Sequence, residues 1–296
     1  MSLPLRRVAL ALALVLAALS LAIQPASAEP QGSVHPVPLR IVSLNLCLDA
    51  LLLELAPPER IAALSHYSRD PYRSTIAARS LEFPITYETA EEVVALKPDL
   101  VLTSRHSATA TRHALTRVGI RFELFDVPDS VDASIVQVRK LAAMLGRPES
   151  GETLVTRIKA AIAAAHPPPG FVPLTAVVYQ PGGLTAGVDT VTGQLMRAAG
   201  LENVAERYGI REFRPLSLEL LVSSPPQVLL VGETSPGAPM EAERVVQHRA
   251  LRSLQSRMTR ELFPVRLLYC AGPTMIDALG SLARARNHAS EVRSSL

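Results

Sequence analysis

Two rhythms of apolar residues alternate along this chain. Short unbroken apolar runs recur at Leu39–Leu44, Ile61–Leu64, Leu100–Thr103, Phe122–Phe125, Ala176–Tyr179, Val228–Val231 and Val265–Tyr269. They predict strands covered by helices on both faces, because a half-exposed strand alternates apolar with polar. Between them lie stretches with the three-to-four-residue spacing of helices: Cys47–Leu55, Thr89–Leu96, Thr109–Val118, a segment capped by Ser130 and closed by Gly146, Val191–Ala199, a short helix from Leu216 to Val222, Glu241–His248, Leu251–Met258, and a last helix to about Arg286. Thr89 with Glu92 three residues on predicts a capping box. Ala289–Leu296 reads as a loose tail. Alternating strands and helices in both halves of the chain predict an α/β protein with mainly parallel sheets.

Between the halves stands Pro148–His166. Leu154, Ile158 and Ile162 repeat every four residues, with Ala161 and Ala165 on the same face. Pro148 suits a first helical turn, Glu149 and Glu152 suit the positive end of the dipole, and Pro167-Pro168-Pro169 stops the helix. Periodicity alone leaves two placements: a stiff spacer between two lobes, or a crossover helix within one large sheet.

The N-terminus changes the picture of where the chain works. Residues 1–28 read as a secretory signal: Arg6-Arg7, an apolar stretch from Val8 to Ile23, and Ala26-Ser27-Ala28 as cleavage site. The alternative is a retained membrane anchor, for which the stretch is short. Removal gives an exported, periplasmic chain that is not membrane-embedded. The formal charge of +3 includes Arg6 and Arg7, so the mature chain falls to about +1, and no basic run supports a nucleic-acid partner. The two cysteines, Cys47 and Cys270, leave open a disulfide, two buried thiols or a soft metal ligand.

Parallel sheets bind ligands beyond the carboxyl ends of their strands. That rule nominates the loops at Asn45–Cys47, His66–Arg69, Ser104–His106, Tyr179–Gly183, Glu233–Ser235 and Tyr269–Gly272, three in each half. Tyr67, Tyr87, Tyr179, Phe213 and Tyr269 stand near these ends and suit a flat ligand. Arg69, Arg105 and Arg211 suit carboxylates. His66 and His106 can ligate a metal or a haem iron, or act as surface hydrogen-bonding groups. Glu91 and Glu219 each begin a short helix, one per half, where the helix dipole alone explains an acid. No nucleophile elbow, phosphate loop, HExxH or CxxC motif is present.

Several runs together resemble a family. Arg40-Ile41-Val42-Ser43-Leu44 with Arg60-Ile61, then Glu91-Glu92-Val93-Val94-Ala95-Leu96-Lys97-Pro98-Asp99-Leu100-Val101, then Glu219 with Ser224-Pro225-Pro226-Gln227-Val228, look like periplasmic binding proteins of metal-chelate ABC importers, which take up cobalamin, ferric siderophores or haem. The resemblance implies two Rossmann-like lobes joined by one long interlobe helix. The lobes are 39–129 and 170–288, and 130–166 is an interlobe helical segment containing the spine. It implies a ligand between the lobes and puts Tyr67, Tyr87 and Phe213 at or near the family's ligand-facing aromatics; Asn45, Cys47, His66, Arg105, Tyr179, Arg211 and Tyr269 are ligand contacts expected from their loop positions. It makes Glu91 and Glu219 the carboxylates that dock an ABC permease and its ATPase subunits. A monomer with no resident cofactor is expected, the chelate being cargo. The chain departs from the family in lacking tryptophan and in carrying Asn45-Leu46 where serine-proline is usual. Rival readings are a free-metal-ion carrier using His66 and His106, a secreted chelatase-like enzyme, and a sensory binding protein.

Overall fold

The computed structural model describes residues 36–105, 107, 109–233, 248–254 and 257–295. The expected signal 1–28, most of the leader after it, His106 and all of the predicted helix Glu241–His248 except His248 lie outside the described residues. The first half consists of β1 (Ile41–Ser43), α1 (Leu46–Leu55), β2 (Ile61–Ser65), β3 (Ile85–Thr86), α2 (Ala90–Ala95), β4 (Leu100–Ser104), α3 (Thr109–Arg117) and β5 (Phe122–Phe125). All five strands run parallel in the order β3-β2-β1-β4-β5. Two helices follow, α4 (Val131–Met144) and α5 (Pro148–Ala165).

The second half has β6 (Leu174–Tyr179), β7 (Leu184–Ala186), α6 (Val191–Ala198), β8 (Leu201–Asn203), β9 (Phe213–Pro215), α7 (Leu218–Ser223), β10 (Val228–Val231), α8 (Arg249–Arg252), β11 (Thr259–Leu262) and α9 (Thr274–Ser294). Its sheet is parallel in the order β11-β10-β6-β8, and β7 and β9 form a small antiparallel pair. Two sheets on either side of α5 decide its placement: it is the spine between two α/β lobes.

Strand parity distributes the core. Ile41, Leu64, Leu100 and Leu102 point to one face, and Val42, Ala63 and Val101 to the other, where α2 and α3 cover them with Val93 and Leu115. The inward faces of both sheets join one buried cluster that runs through Val138 and Leu141 of α4, Leu154 and Ile158 of α5, and Met275, Leu279 and Leu282 of α9. Gly151 makes the α4–α5 crossing possible, since a Cβ there would lie 2.6 Å from the Cβ of Ala142. At the other end of the spine, the buried Arg286 guanidinium donates to the carbonyls of Ala165 (2.6 Å) and Ala199 (2.9 Å), closing the C-termini of α5 and α6 with a cation.

Three local expectations are corrected. The last strand lies at Thr259–Leu262, not Val265–Tyr269; Pro264 ends it, and Val265–Leu267 forms a 3₁₀ turn. The C-terminal residues are no loose tail, because the apolar spacing of Leu282, Ala285 and Ala289 carries α9 on to Ser294. Of the described residues in the expected Leu251–Met258 helix, only Leu251 and Arg252 are helical, as the end of α8 (Arg249–Arg252), with His248 as cap. Thr89 caps α2 as expected (Glu92 N–H to Oγ1, 3.3 Å), and the Glu92 carboxylate, facing the Thr89 backbone, also accepts from the Thr86 hydroxyl (2.9 Å) and the Tyr87 N–H (2.7 Å).

Replacing Gly151 by valine forces α4 and α5 apart and is expected to cost about 1–3 kcal/mol of unfolding free energy. Urea denaturation of Gly151→Val measures it, and an unchanged midpoint would show that the crossing tolerates separation freely.

Candidate functional site

Asn45, Ser104 and Asp126, just beyond or at the carboxyl ends of β1, β4 and β5 on the rim of the first sheet, line one crevice together with the Tyr269–Ala271 loop ahead of α9. Cys47 lines it as well. Beside it opens a groove of about 1180 Å³, solvent included, lined by Asp129, Asp189, Glu212, Phe213, Tyr269 and Cys270, with Leu195 and Leu267 beneath. The two cavities share Val127, Pro128, Tyr269 and Ala271.

On the first rim, β2 runs directly into a 3₁₀ turn at His66–Arg69. The His66 ring lies 3.9 Å from that of Tyr67 and stacks at 4.9 Å on Tyr87. Tyr67 is 42% and Tyr87 62% exposed, while the Nδ1 atom of His66 is buried without a partner. Glu88, in the left-handed region (φ 69°), turns the chain out of β3 and leaves Tyr87 at the edge. In the second half, Phe213 at the start of β9 and Tyr269 are each 45% exposed. Of the five expected aromatics, Phe213 and Tyr269 line the groove, and Tyr67 and Tyr87 are exposed at the end of the first sheet.

Tyr179 does not. It is fully buried, its hydroxyl unpartnered, among Val177, Leu216 and Leu229 on the outer face of the second sheet. Strand parity is the reason: Val178, one residue earlier, is the one that points inward. Burial pushes the Tyr179 hydroxyl up to about 12, so it stays neutral.

The expected arginines are also engaged differently. Arg105 pairs with Asp126 (Nη2 to Oδ2, 2.8 Å), and Arg211 grips Asp189 with two bonds (2.7 and 3.0 Å) and pairs with Glu206. Arg69 donates to the Phe83 carbonyl (2.9 Å). Asn45 lines the crevice, but its carbonyl oxygen caps α1, accepting from Cys47 N–H (3.0 Å) and Leu48 N–H (3.3 Å), while its amide donates to the Ser104 hydroxyl (3.4 Å). Cys47 is held in a disulfide with Cys270, Cα to Cα 5.2 Å, so neither is a thiol ligand. Among the described residues no three His, Cys, Asp or Glu side chains converge as a metal site. Glu91 and Glu219 are both exposed in the first turns of α2 and α7.

Sequence reasoning missed the group beneath the first rim. Asp49 is fully buried one helical turn beyond Asn45. Its carboxyl accepts the Ser65 N–H (3.2 Å) and the Ser65 hydroxyl (2.5 Å), locking α1 to the end of β2 just before His66. Burial drives its pKa up to about 7, against the pull of these bonds and with a further push from Glu88. The available signal was a single acid on the leucine stripe of α1.

A sequence profile of the family described as "Periplasmic binding protein" matches residues 41–257. The chain belongs to this family. A curated "Cobalamin-binding protein" of Halobacterium salinarum is 26% identical over 215 residues, 71% of this chain, which spans 58% of that relative's length. Among solved structures, the periplasmic heme-binding protein RhuT from Roseiflexus sp. RS-1 is 27% identical, with TM-score 0.65, over 85% of this chain and 98% of its own. The periplasmic vitamin B12 binding protein BtuF of Vibrio cholerae shares the fold at 16% identity and TM-score 0.63, over 86% of this chain and 98% of its own.

Asp49 generates a pH signature. Its folded pKa lies above the unfolded value, so the folded state holds an extra proton between about pH 4 and 7. The resulting stabilisation is present in acid and is lost as pH rises through 7. Asp49→Asn is expected to flatten that fall, gaining up to about 4 kcal/mol on the parent at pH 8 relative to pH 4. Parallel urea titrations at the two pH values check it, and an identical difference at both would sink the assignment.

Proposed function

We propose that the protein captures a corrinoid-type metal chelate between its rims and delivers it to an ABC permease, exported to the periplasm by residues 1–28. The charge of the cleft carries this reading. The lining of crevice and groove includes Asp126, Asp129, Asp189 and Glu212 and, among the described residues, no lysine or arginine. The nearby Arg105 and Arg211 already answer acids of the protein itself. A dianionic porphyrin would meet carboxylates where it needs cations, whereas the amide-fringed corrin ring offers donors to them. Tyr67, Tyr87, Phe213 and Tyr269 supply flat apolar surface from both sides. The cobalamin-binding relative supports the same direction.

Haem is the second reading. It is favoured by the His66–Tyr67–Tyr87 cluster, which puts an imidazole and two phenols at one edge, and by the likeness to RhuT. A free-ion carrier has less support, since His66 lacks converging partners among the described residues.

Calorimetry with cyanocobalamin, cobinamide and haem separates the readings. Binding of the corrinoids, weakened about tenfold or more by Tyr67→Ala with Phe213→Ala, is expected; binding of haem alone would overturn the proposal. For docking, exposed Glu91 and Glu219 on opposite lobes suit orienting charge pairs. Glu91→Arg with Glu219→Arg is expected to abolish uptake in cells while affinity stays unchanged, and normal uptake would dismiss the role.

A further inference from the structure

The cysteine bond joins the first turn of α1, in one lobe, to the loop ahead of α9 in the other, across 223 residues of sequence. We propose that Cys47 and Cys270 are positioning residues of the cleft, whose bond holds Tyr269 fixed where the two cavities meet before any ligand arrives. Tyr269 is bonded directly to Cys270 along the chain and lines both cavities, reaching Asn45 and Ser104 on one side and Phe213 on the other. The loop belongs to the second lobe but is fastened to the first. The Gly272 N–H donates to the Ser134 hydroxyl of α4 (2.9 Å), and a Cβ on Gly272 would lie 3.0 Å from Leu51 of α1. Thr274 meets Thr75 at 3.5 Å.

These contacts hold the loop from the α9 side, and Leu267 and Leu268, buried in the shared core, hold it from the other. Between the two, the sulfur bridge is the one covalent tie of the segment to the first lobe, and it adjoins Tyr269. A side chain ordered in advance spares the ligand the entropy of ordering it, and losing that order is expected to weaken binding about tenfold. The bond also ties the rims at their base, so the spine and the clasp together limit opening. This inference rests on the cleft being the ligand site, so its first test uses no ligand.

Six tyrosines are present, and the full mature chain labelled with 3-fluorotyrosine gives one fluorine resonance for each. Tyr269→Phe identifies the line of Tyr269. In the bridged protein that line is expected to be single and narrow; in Cys47→Ser/Cys270→Ser, or after phosphine reduction of the folded protein, it shifts or broadens while the other five stay. A Tyr269 line unmoved by both treatments overturns the proposal. So does collapse of all six lines under both, because the bond would then hold the fold and not one side chain. The second test is a cycle on cyanocobalamin affinity. Removing the bridge is expected to cost about tenfold with Tyr269 present and nothing further in Tyr269→Ala; additive losses overturn the coupling. If the parent binds no corrinoid, the ligand assignment fails and the fluorine result still decides the clasp.

Discussion

The packing of α5 between α4 and α9 is the constraint on which the rest depends. Each sheet needs its inward face covered, and one helix with a continuous apolar stripe serves both. Leu154 and Ile158 join the cluster that contains Ile41 and Leu100 of the first sheet and Val178 and Leu230 of the second. Neither lobe's core is complete without the spine, so the lobes cannot drift apart as independent bodies. Gly151 sets how closely α4 can approach, and Arg286 closes the far end where the helix would otherwise leave a bare carbonyl. A helix resists bending far more than a linker of extended chain, so the distance between the rims is largely fixed by the fold.

That rigidity shapes what recognition can consist of. Rims held at a largely fixed distance leave recognition to a surface presented in advance. Three devices do so: the His66–Tyr67–Tyr87 stack, the Asp49–Ser65 lock beneath it, and the bridged loop that carries Tyr269. Glu92 belongs with them, because its carboxylate fixes the backbone of Tyr87 and is held below the usual carboxylate range by the Thr86 hydroxyl and that N–H. The same acid lies beside Glu91 on α2, so ligand rim and exposed carboxylate share one short helix.

The fold was legible to the extent that burial follows pattern. Unbroken apolar runs located β1, β2, β4, β5, β6 and β10 because both faces of each sheet are covered, and the proline stop located the end of the spine. Short edge elements escaped: Ile85–Thr86 and Phe213–Pro215 are too brief to carry a period, and Thr259–Leu262 is more polar than the Val265–Tyr269 run that outshone it. At the site, positions after strands were readable, but side-chain direction was not. Tyr179 and Tyr269 looked alike in sequence, and parity buries one while a loop exposes the other. Charge was the least legible property, since an arginine near a strand end does not announce the acid 21 or 22 residues away that neutralises it.

Those paired arginines also explain why likeness of fold cannot choose the cargo. RhuT and BtuF share this architecture with similar overlap, yet their names give different ligands. The spine and sheets therefore specify a place between rims, and the lining must specify what goes there. In this chain the lining joins apolar side chains with Asp129, Asp189 and Glu212, and Arg105 and Arg211 are committed to Asp126, Asp189 and Glu206. On the proposed reading an anionic cargo is opposed twice: once by Asp129 and Glu212, which form no ion pair among the described residues, and again because releasing an arginine to the ligand would strand the acid that it leaves behind.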